Sequence, residues 1–293
     1  MPPPFARPPL VSEDVRSLFQ SADLVIGNLE TPVGDDRVTA HHFQISEKTL
    51  ASVLDALGIA PKQLVLSIAN NHIGDLGAVG VRTTLNALST SGITPIGAGP
   101  SGRSPVVRVA AGRMSVDLVA WSDWINRPLP SGGTAIASRD EALLCLKARG
   151  SSSADVTVAY PHWGYEFQHG PRPRDREVAA ELARNGVHLV VGHHPHVIQP
   201  AEVQGTSLCV YSLGGLIQSQ GVALRWPVRL GCLLVVDFSP FENQADRLGF
   251  GYQIVPVVHA HDRREHRVAL LDEASDRDQK RMKPRFDLIC PPA

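Results

Sequence analysis

The chain has 293 residues, 43% hydrophobic and 19% charged, which is enough for one large α/β domain with a substantial core or for two small ones. Its formal net charge is −1 and its lysines and arginines are scattered, so neither nucleic acid nor an anionic membrane is an expected partner. No apolar run is long enough to span a membrane, and residues 1–9 lack the apolar core of a signal peptide. We therefore expect a soluble, cytoplasmic protein without membrane insertion.

Helical and strand patterns alternate along the chain. Helices are predicted over residues 12–20, 46–57, 79–88, 141–148 and 176–185. Strands are predicted over residues 22–27, 64–69, 92–97, 106–110, 115–121, 155–160, 187–191, 207–211, 231–238 and 252–258, and the polar stretch 31–46 is predicted to be a mobile loop. This order favours an α/β fold. Because no Gly/Ser/Pro-rich linker divides the chain, we expect a single domain, residues 1–293, in which the weakly periodic, charge-rich residues 262–293 form a loosely attached tail.

Four of the predicted strands are followed at once by Asn, His or Glu. The side chains concerned are Asn28 and Glu30, then Asn70, Asn71 and His72, then His162, and finally His193, His194 and His196. Because parallel strands point their carboxyl ends the same way, we expect these side chains to converge at one edge of a sheet. Mixed nitrogen and oxygen ligands suit Zn²⁺, Mn²⁺ or Fe²⁺ better than Ca²⁺, so the pattern predicts one or two divalent transition metal ions.

Each of these groups also has an ordinary structural explanation when taken alone. Asn28 could cap a turn, and the histidines around Pro195 could be surface residues that happen to cluster. The four cysteines are far apart, which indicates neither a thiolate metal site nor a disulfide framework. Recurrence of the same residue types at four strand ends favours the metal site.

Five short blocks carry a family resemblance, and they occur in the family's order. The blocks are Asn28-Leu-Glu30, Ala69-Asn-Asn-His72 with Asp75, His162-Trp-Gly164 with Glu166, Gly192-His-His-Pro-His196 with Gln199, and Tyr211-Ser-Leu-Gly214. They resemble the signature of the CapA, or poly-γ-glutamate capsule synthesis, family, which is similar to the calcineurin-like metallophosphatases. The resemblance implies a four-layer α/β/β/α sandwich with a two-metal site at the strand ends.

The resemblance also implies a role for each matching residue. Glu30 takes the place of the bridging carboxylate, Asn71 and His162 bind one metal, and His194 and His196 supply the remaining ligands. His72 would be the general acid. Apart from the resemblance, we expect Glu166 to orient His162 or to contact the substrate. Substrate-binding or supporting positions around the ligands are expected at Asn28, Asn70, Asp75, Trp163, His193 and Gln199.

The sequence departs from the family pattern in ways that bear on the metal count. Family members begin with a strand that ends in Gly-Asp, which residues 1–10 do not offer, and Gly214-Gly215 stands where Gly-Asn is usual. Asp23 precedes its strand and so lies at the wrong end, which makes Asp123 the candidate replacement. We therefore expect one well-held metal and a weaker second site.

Three classes of function follow. The first is a soluble, CapA-like, metal-dependent hydrolase or acyl-transfer enzyme that uses a metal-activated water. Its small-molecule or peptide-like substrate would contain an amide, of the γ-glutamyl or peptide-like kind, or a phosphoester. The alternatives are a component of poly-γ-glutamate or capsule biosynthesis or export, and a metal-free degenerate binding protein. We favour the enzyme, because binding alone does not need His72, His162, His194 and His196 together.

Overall fold

The structure is a computed structural model that describes residues 8–34, 44–100, 104–129, 134–148, 154–218, 226–241, 244–261 and 266–290. Residues 35–43 of the predicted loop lie outside this range. The chain forms two compact units, residues 1–163 and 164–293. A single domain over the whole chain stays a prediction. None of the described helices combines the length and the apolar character needed to cross a membrane.

The first unit alternates strands and helices as the sequence predicts. Its elements are β1 (Leu10–Val11), α1 (Glu13–Ser21), β2 (Val25–Asn28), α2 (Glu47–Leu57), β3 (Leu64–Ser67), α3 (Gly77–Thr90), β4 (Thr94–Ile96), β5 (Ala98–Pro100), β6 (Val106–Ala111), β7 (Met114–Ser122), β8 (Thr134–Ile136), α4 (Arg139–Ala148) and β9 (Val156–His162). Strands β2, β3 and β4 pair in parallel, and β9 pairs in parallel with β7 of the β6–β7 hairpin. The α/β class is therefore confirmed.

Local signals set the ends of the first two helices. The Ser12 hydroxyl accepts a hydrogen bond from the Val15 amide at the start of α1, and Ser46 accepts one from Thr49 at the start of α2. Helix α2 ends at Gly58, whose φ of 73° is left-handed and therefore favours glycine. Serine caps and a glycine stop are readable from sequence, which is why these helices lie where they were predicted.

The second unit combines a small mixed sheet with a long antiparallel one. Its elements are α5 (Pro173–Arg184), β10 (Leu189–Val191), β11 (Ala201–Gln204), β12 (Ser207–Val210), β13 (Leu230–Phe241), β14 (Gln244–His261), β15 (His266–Leu270) and α6 (Asp276–Ile289). Strand β12 pairs in parallel with β10 and antiparallel with β11, while β13, β14 and β15 form antiparallel pairs.

The charge-rich C-terminal segment, for which the weak periodicity suggested loose attachment, carries β15 and α6 within its described part. Met282, Phe286 and Ile289 of α6 are buried in one apolar cluster with Leu230 and Cys232 of β13. The weak periodicity arises because this helix buries a narrow apolar stripe and exposes charged residues elsewhere. Its apolar face therefore belongs to the core of the second unit.

Candidate metal centre

Three potential ligands from separate segments of the first unit lie close together. Glu30 and His162 each offer a ligand atom for a metal ion, and their Oε1 and Nε2 atoms are 3.8 Å apart. Asn71 brings its Oδ1 to 3.0 Å from the same nitrogen of His162. Parallel pairing of β2 with β3 explains part of this arrangement, because it sets Asn28 beside Ser67 and so brings the two following loops side by side.

These spacings fit a single ion held between the three side chains. Nitrogen and oxygen ligands lie about 2.0–2.2 Å from a zinc-like ion, so two ligands of one ion are separated by no more than about 4.4 Å. The separations of 3.0 Å and 3.8 Å fall inside that limit. His162 and Asn71 are almost fully buried, which would shield a bound ion from water on their side.

Asn71 is oriented by a residue that the sequence analysis missed. Its amide nitrogen Nδ2 donates to Oδ1 of Asn126 at 3.4 Å, and the Asn126 backbone N–H donates to the Asn71 carbonyl at 3.0 Å. These contacts leave Asn71 Oδ1, the atom suited to bind a metal, facing His162. Asn126 lies four residues after the end of β7, so the pattern of polar residues directly behind a strand did not reach it.

A chain of hydrogen bonds joins the loop after β2 to the loop after β3. Asn28 Nδ2 donates to Glu30 Oε2 at 3.1 Å. Asn70, which is fully buried, donates through Nδ2 to Asn28 Oδ1 at 3.2 Å and to the Leu29 carbonyl at 2.8 Å. Its Oδ1 accepts from the His72 backbone N–H at 3.2 Å. One asparagine therefore fixes both the carboxylate ligand and the expected general acid.

His72 has the partner that a proton-transferring histidine needs. Its Nδ1 lies 2.9 Å from Asp75 Oδ2, and the Asp75 carboxylate is buried while the imidazole is 16% exposed. A carboxylate at Nδ1 holds the proton there and fixes the ring, so that Nε2 is the nitrogen that can exchange a proton with a substrate. The Asp75 carbonyl in turn accepts a hydrogen bond from Arg127 Nη1 at 3.2 Å.

Asp123 does not replace the missing amino-terminal aspartate. Both of its carboxylate oxygens are held by Arg139, with Nε 3.0 Å from Oδ1 and Nη2 in contact with Oδ2. The pair is nearly buried, and its charges neutralise one another. Asp23 lies at the wrong end of the strands, as the sequence predicts. It contacts Gly112 in the turn where β7 begins, whereas His162 lies beside Ser122 at the other end of β7.

In the second unit, the histidine turn after β10 has an unusual backbone. His194 and His196 have φ values of 100° and 57°, and Phe167 has 63°, although residues with side chains rarely adopt this region. The Phe167 N–H donates to the Pro195 carbonyl at 2.8 Å, and its ring stacks on His196 at a centroid distance of 6.0 Å. The His194 and His196 rings are 6.3 Å apart. Such strain concentrates at functional sites.

The residues beside these two histidines have distinct environments. Burial lowers the pKa of His193 to about 3, so its imidazole is neutral at physiological pH. Gln199, also buried, donates from Nε2 to the carbonyls of Gln168 at 2.7 Å and Gly170 at 3.2 Å. It therefore anchors the loop that contains Phe167. Glu166, in the same loop, is exposed.

Trp163 packs in the core of the first unit. It is 1% exposed, and its ring meets the buried ring of Trp121 edge to face at a centroid distance of 6.3 Å. A tryptophan next to a candidate ligand suggests a pocket wall from sequence, but the apolar environment of β7 and β9 favours burial.

Two kinds of comparison with known proteins bear on this site. The model of the family described as bacterial capsule synthesis protein PGA_cap matches residues 6–220. The PGA biosynthesis protein CapA of Bacillus subtilis is 26% identical over 71% of this chain and 56% of its own length. The capsule biosynthesis protein CapA of Bacillus anthracis is 28% identical over 72% of this chain and 54% of its own length. The chain thus spans just over half the length of these relatives.

Among solved structures, the NAD nucleotidase NadN of Haemophilus influenzae is matched with a TM-score of 0.46 at 13% identity. The match covers 80% of this chain and 47% of that one. A likeness at this level carries no function from one protein to the other.

Proposed function

Because the chain belongs to the bacterial capsule synthesis protein PGA_cap family, we propose that it is a metal-dependent enzyme acting on a γ-glutamyl or similar amide bond. The observation that carries this proposal is that Glu30 and Asn71 each place an oxygen within ligand distance of His162 Nε2. The names of the two Bacillus relatives favour a place in capsule or poly-γ-glutamate biosynthesis. A phosphoester substrate is the second candidate, because the metallophosphatases that the family resembles act on such bonds.

The metal would be Mn²⁺, Fe²⁺ or Zn²⁺, held by Glu30, Asn71 and His162 from the first unit. By analogy with the family, His194 and His196 would supply the remaining ligands. A bound ion of this kind supplies Lewis acidity that activates water and polarises the bond to be cleaved. Because Arg139 holds Asp123, the candidate replacement for the aspartate that family members supply, a second ion would lack a carboxylate ligand. We therefore expect one well-held ion and a weaker second one.

The surrounding residues would orient the ligands and move a proton. Asn28 and Asn70 hold the Glu30 carboxylate in place, so that little reorganisation accompanies binding. His72, fixed through Nδ1 by Asp75, would donate a proton from Nε2 to the leaving group. Glu166 is exposed and could contact the substrate directly.

The proposal is tested by elemental analysis together with two turnover assays. Purified protein should contain Mn, Fe or Zn at no less than about one ion per chain. It should then release aniline from γ-glutamyl anilide, and the His72→Asn variant should be slower by about 100-fold or more at unchanged metal content.

The other outcomes separate the alternatives. Turnover of p-nitrophenyl phosphate without turnover of the anilide would replace the amide by a phosphoester. Bound metal without either activity would favour a binding component of capsule biosynthesis or export. A metal content near zero that titration does not raise would contradict the metal-dependent enzyme and favour a degenerate binding protein.

A further inference from the structure

We propose that Arg127 recognises a negatively charged group of the substrate, a carboxylate or a phosphate, next to His72. This inference deepens the proposed function and rests on it. It concerns a residue outside the blocks that carry the family resemblance. Three observations in the first unit support it: the attachment of the Arg127 segment, the lack of a carboxylate partner for Arg127 among the described residues, and its exposure.

The segment that carries Arg127 is attached directly to the loop with Asn71, His72 and Asp75. The preceding residue, Asn126, forms two hydrogen bonds with Asn71, and Arg127 Nη1 donates to the Asp75 carbonyl at 3.2 Å. The backbone also approaches closely: a Cβ placed on Gly74 would lie 2.2 Å from the Arg127 carbonyl oxygen. Only glycine fits there, so the position of Arg127 beside this loop is fixed by backbone contact as well as by side chains.

Among the described residues, Arg127 forms no ion pair with a carboxylate, in contrast to several other arginines. Arg108, Arg139, Arg172 and Arg229 each contact a carboxylate within the described chain. The hydrogen bond that holds Arg127 runs to a backbone carbonyl, which carries no formal charge. Because the guanidinium has five N–H donors in a planar fork, most of them can still serve a ligand.

Arg127 is also exposed, so a ligand can reach it, although Asp75 beside it is buried. A fork of this kind matches the two oxygens of a carboxylate or phosphate, which is why arginine is common where such groups are bound. In a γ-glutamyl unit, three carbons separate the α-carboxylate from the amide carbon. A phosphomonoester, by contrast, carries its charge on the group that reacts. Both present the same chemistry to Arg127.

The test measures binding rather than turnover, so that it stands apart from the test of the proposed enzyme. Calorimetry on metal-loaded His72→Asn protein would compare three probes: γ-glutamyl anilide, 4-aminobutyryl anilide, which lacks the α-carboxylate, and phenyl phosphate. Each is measured in the His72→Asn protein alone and after adding Arg127→Gln, Arg127→Lys or Arg82→Gln. Arg82 is an exposed arginine of α3 and serves as the matched control.

We expect Arg127→Gln to lower the affinity for γ-glutamyl anilide by about 10- to 100-fold and to leave the affinity for 4-aminobutyryl anilide unchanged. Arg127→Lys should fall in between because it keeps the charge but loses the fork, and Arg82→Gln should have no effect. A selective loss for phenyl phosphate instead would identify phosphate as the group recognised. The inference is overturned if Arg127→Gln leaves the affinities for γ-glutamyl anilide and phenyl phosphate unchanged, if it weakens binding of 4-aminobutyryl anilide equally, or if neither γ-glutamyl anilide nor phenyl phosphate binds the parent protein.

Discussion

The strand-end cluster of the first unit and the histidine turn of the second unit present candidate metal ligands by different physical means. Around Glu30, the backbone follows ordinary parallel strands, and side-chain hydrogen bonds through Asn28 and Asn70 set the geometry. Around His194 and His196, the backbone itself adopts positive φ angles. Conformations of this kind persist only where the surrounding structure enforces them, at a cost of order 1–3 kcal/mol each. A site can therefore be held rigid by a network of side chains or by a strained turn.

The largest effect is expected from removing a ligand in either region. Loss of a residue that supports a ligand typically lowers metal affinity by roughly 10- to 100-fold. His162→Ala and His194→Ala remove a ligand itself, so each should lower metal affinity by more than that. Elemental analysis after dialysis would measure it, with His188→Gln as a histidine control outside the ligand set. If His162→Ala keeps full metal and only His194→Ala loses it, the first unit does not provide the tight site.

The side-chain network of the first unit is tested by Asn70→Ala. This change removes the donor to Asn28 and the acceptor for the His72 N–H, so metal affinity should fall by about 10- to 100-fold. The free energy of unfolding should fall by about 1–3 kcal/mol, because buried partners lose their hydrogen bonds. Metal titration and urea denaturation measure the two effects.

Asn86→Ala, an exposed asparagine of α3, is the matched control for Asn70→Ala. Equal behaviour of the two variants in the metal titration would show that the network does not position Glu30.

The turn of the second unit is tested through its anchor, Gln199. The Gln199→Ala change removes the donor to the carbonyls of Gln168 and Gly170, so the free energy of unfolding should fall by about 1–3 kcal/mol. Amide hydrogen exchange in residues 165–170 should become faster. The exposed Gln253→Ala in β14 serves as control. Unchanged exchange in this loop would mean that the positive φ angles are maintained without the Gln199 anchor.

A smaller effect concerns acid stability of the second unit. Burial lowers the pKa of His188 below its ordinary value of 6.5. The unfolded chain therefore binds a proton at a higher pH than the folded chain, and stability is unaffected above about pH 6.5 but falls as the pH drops below it. His188→Gln should reduce this loss, which is at most about 1.4 kcal/mol per pH unit. Urea denaturation at pH 7.5 and pH 5.5 would show it, and an unchanged difference would contradict the assignment.

The sequence predicts the elements better than it predicts contacts between distant side chains. Ser12, Ser46 and Gly58 mark helix ends through local chemistry, and the buried runs of β3 and β9 mark strands. The polar residues behind β2 and β3 could be identified because a parallel sheet brings strand ends together.

The pairing of Asp123 with Arg139, by contrast, joins two residues 16 positions apart across a loop, and no local pattern indicates it. The support of Asn71 by Asn126, 55 positions away, is hidden for the same reason. The strained φ angles at His194 and His196 depend on what surrounds Pro195, so the motif alone predicts ligands but not their orientation.

The central claim, that this protein is built to hold a divalent metal at the strand-end cluster of its first unit, is tested most directly by anomalous diffraction. Crystals grown with Mn²⁺ would be measured at the manganese edge. We expect a strong peak within about 2.0–2.2 Å of Glu30 Oε1, Asn71 Oδ1 and His162 Nε2, with any second peak weaker. Absence of a peak there at saturating Mn²⁺ would contradict the central claim, and two full peaks would contradict the expected weakness of the second site.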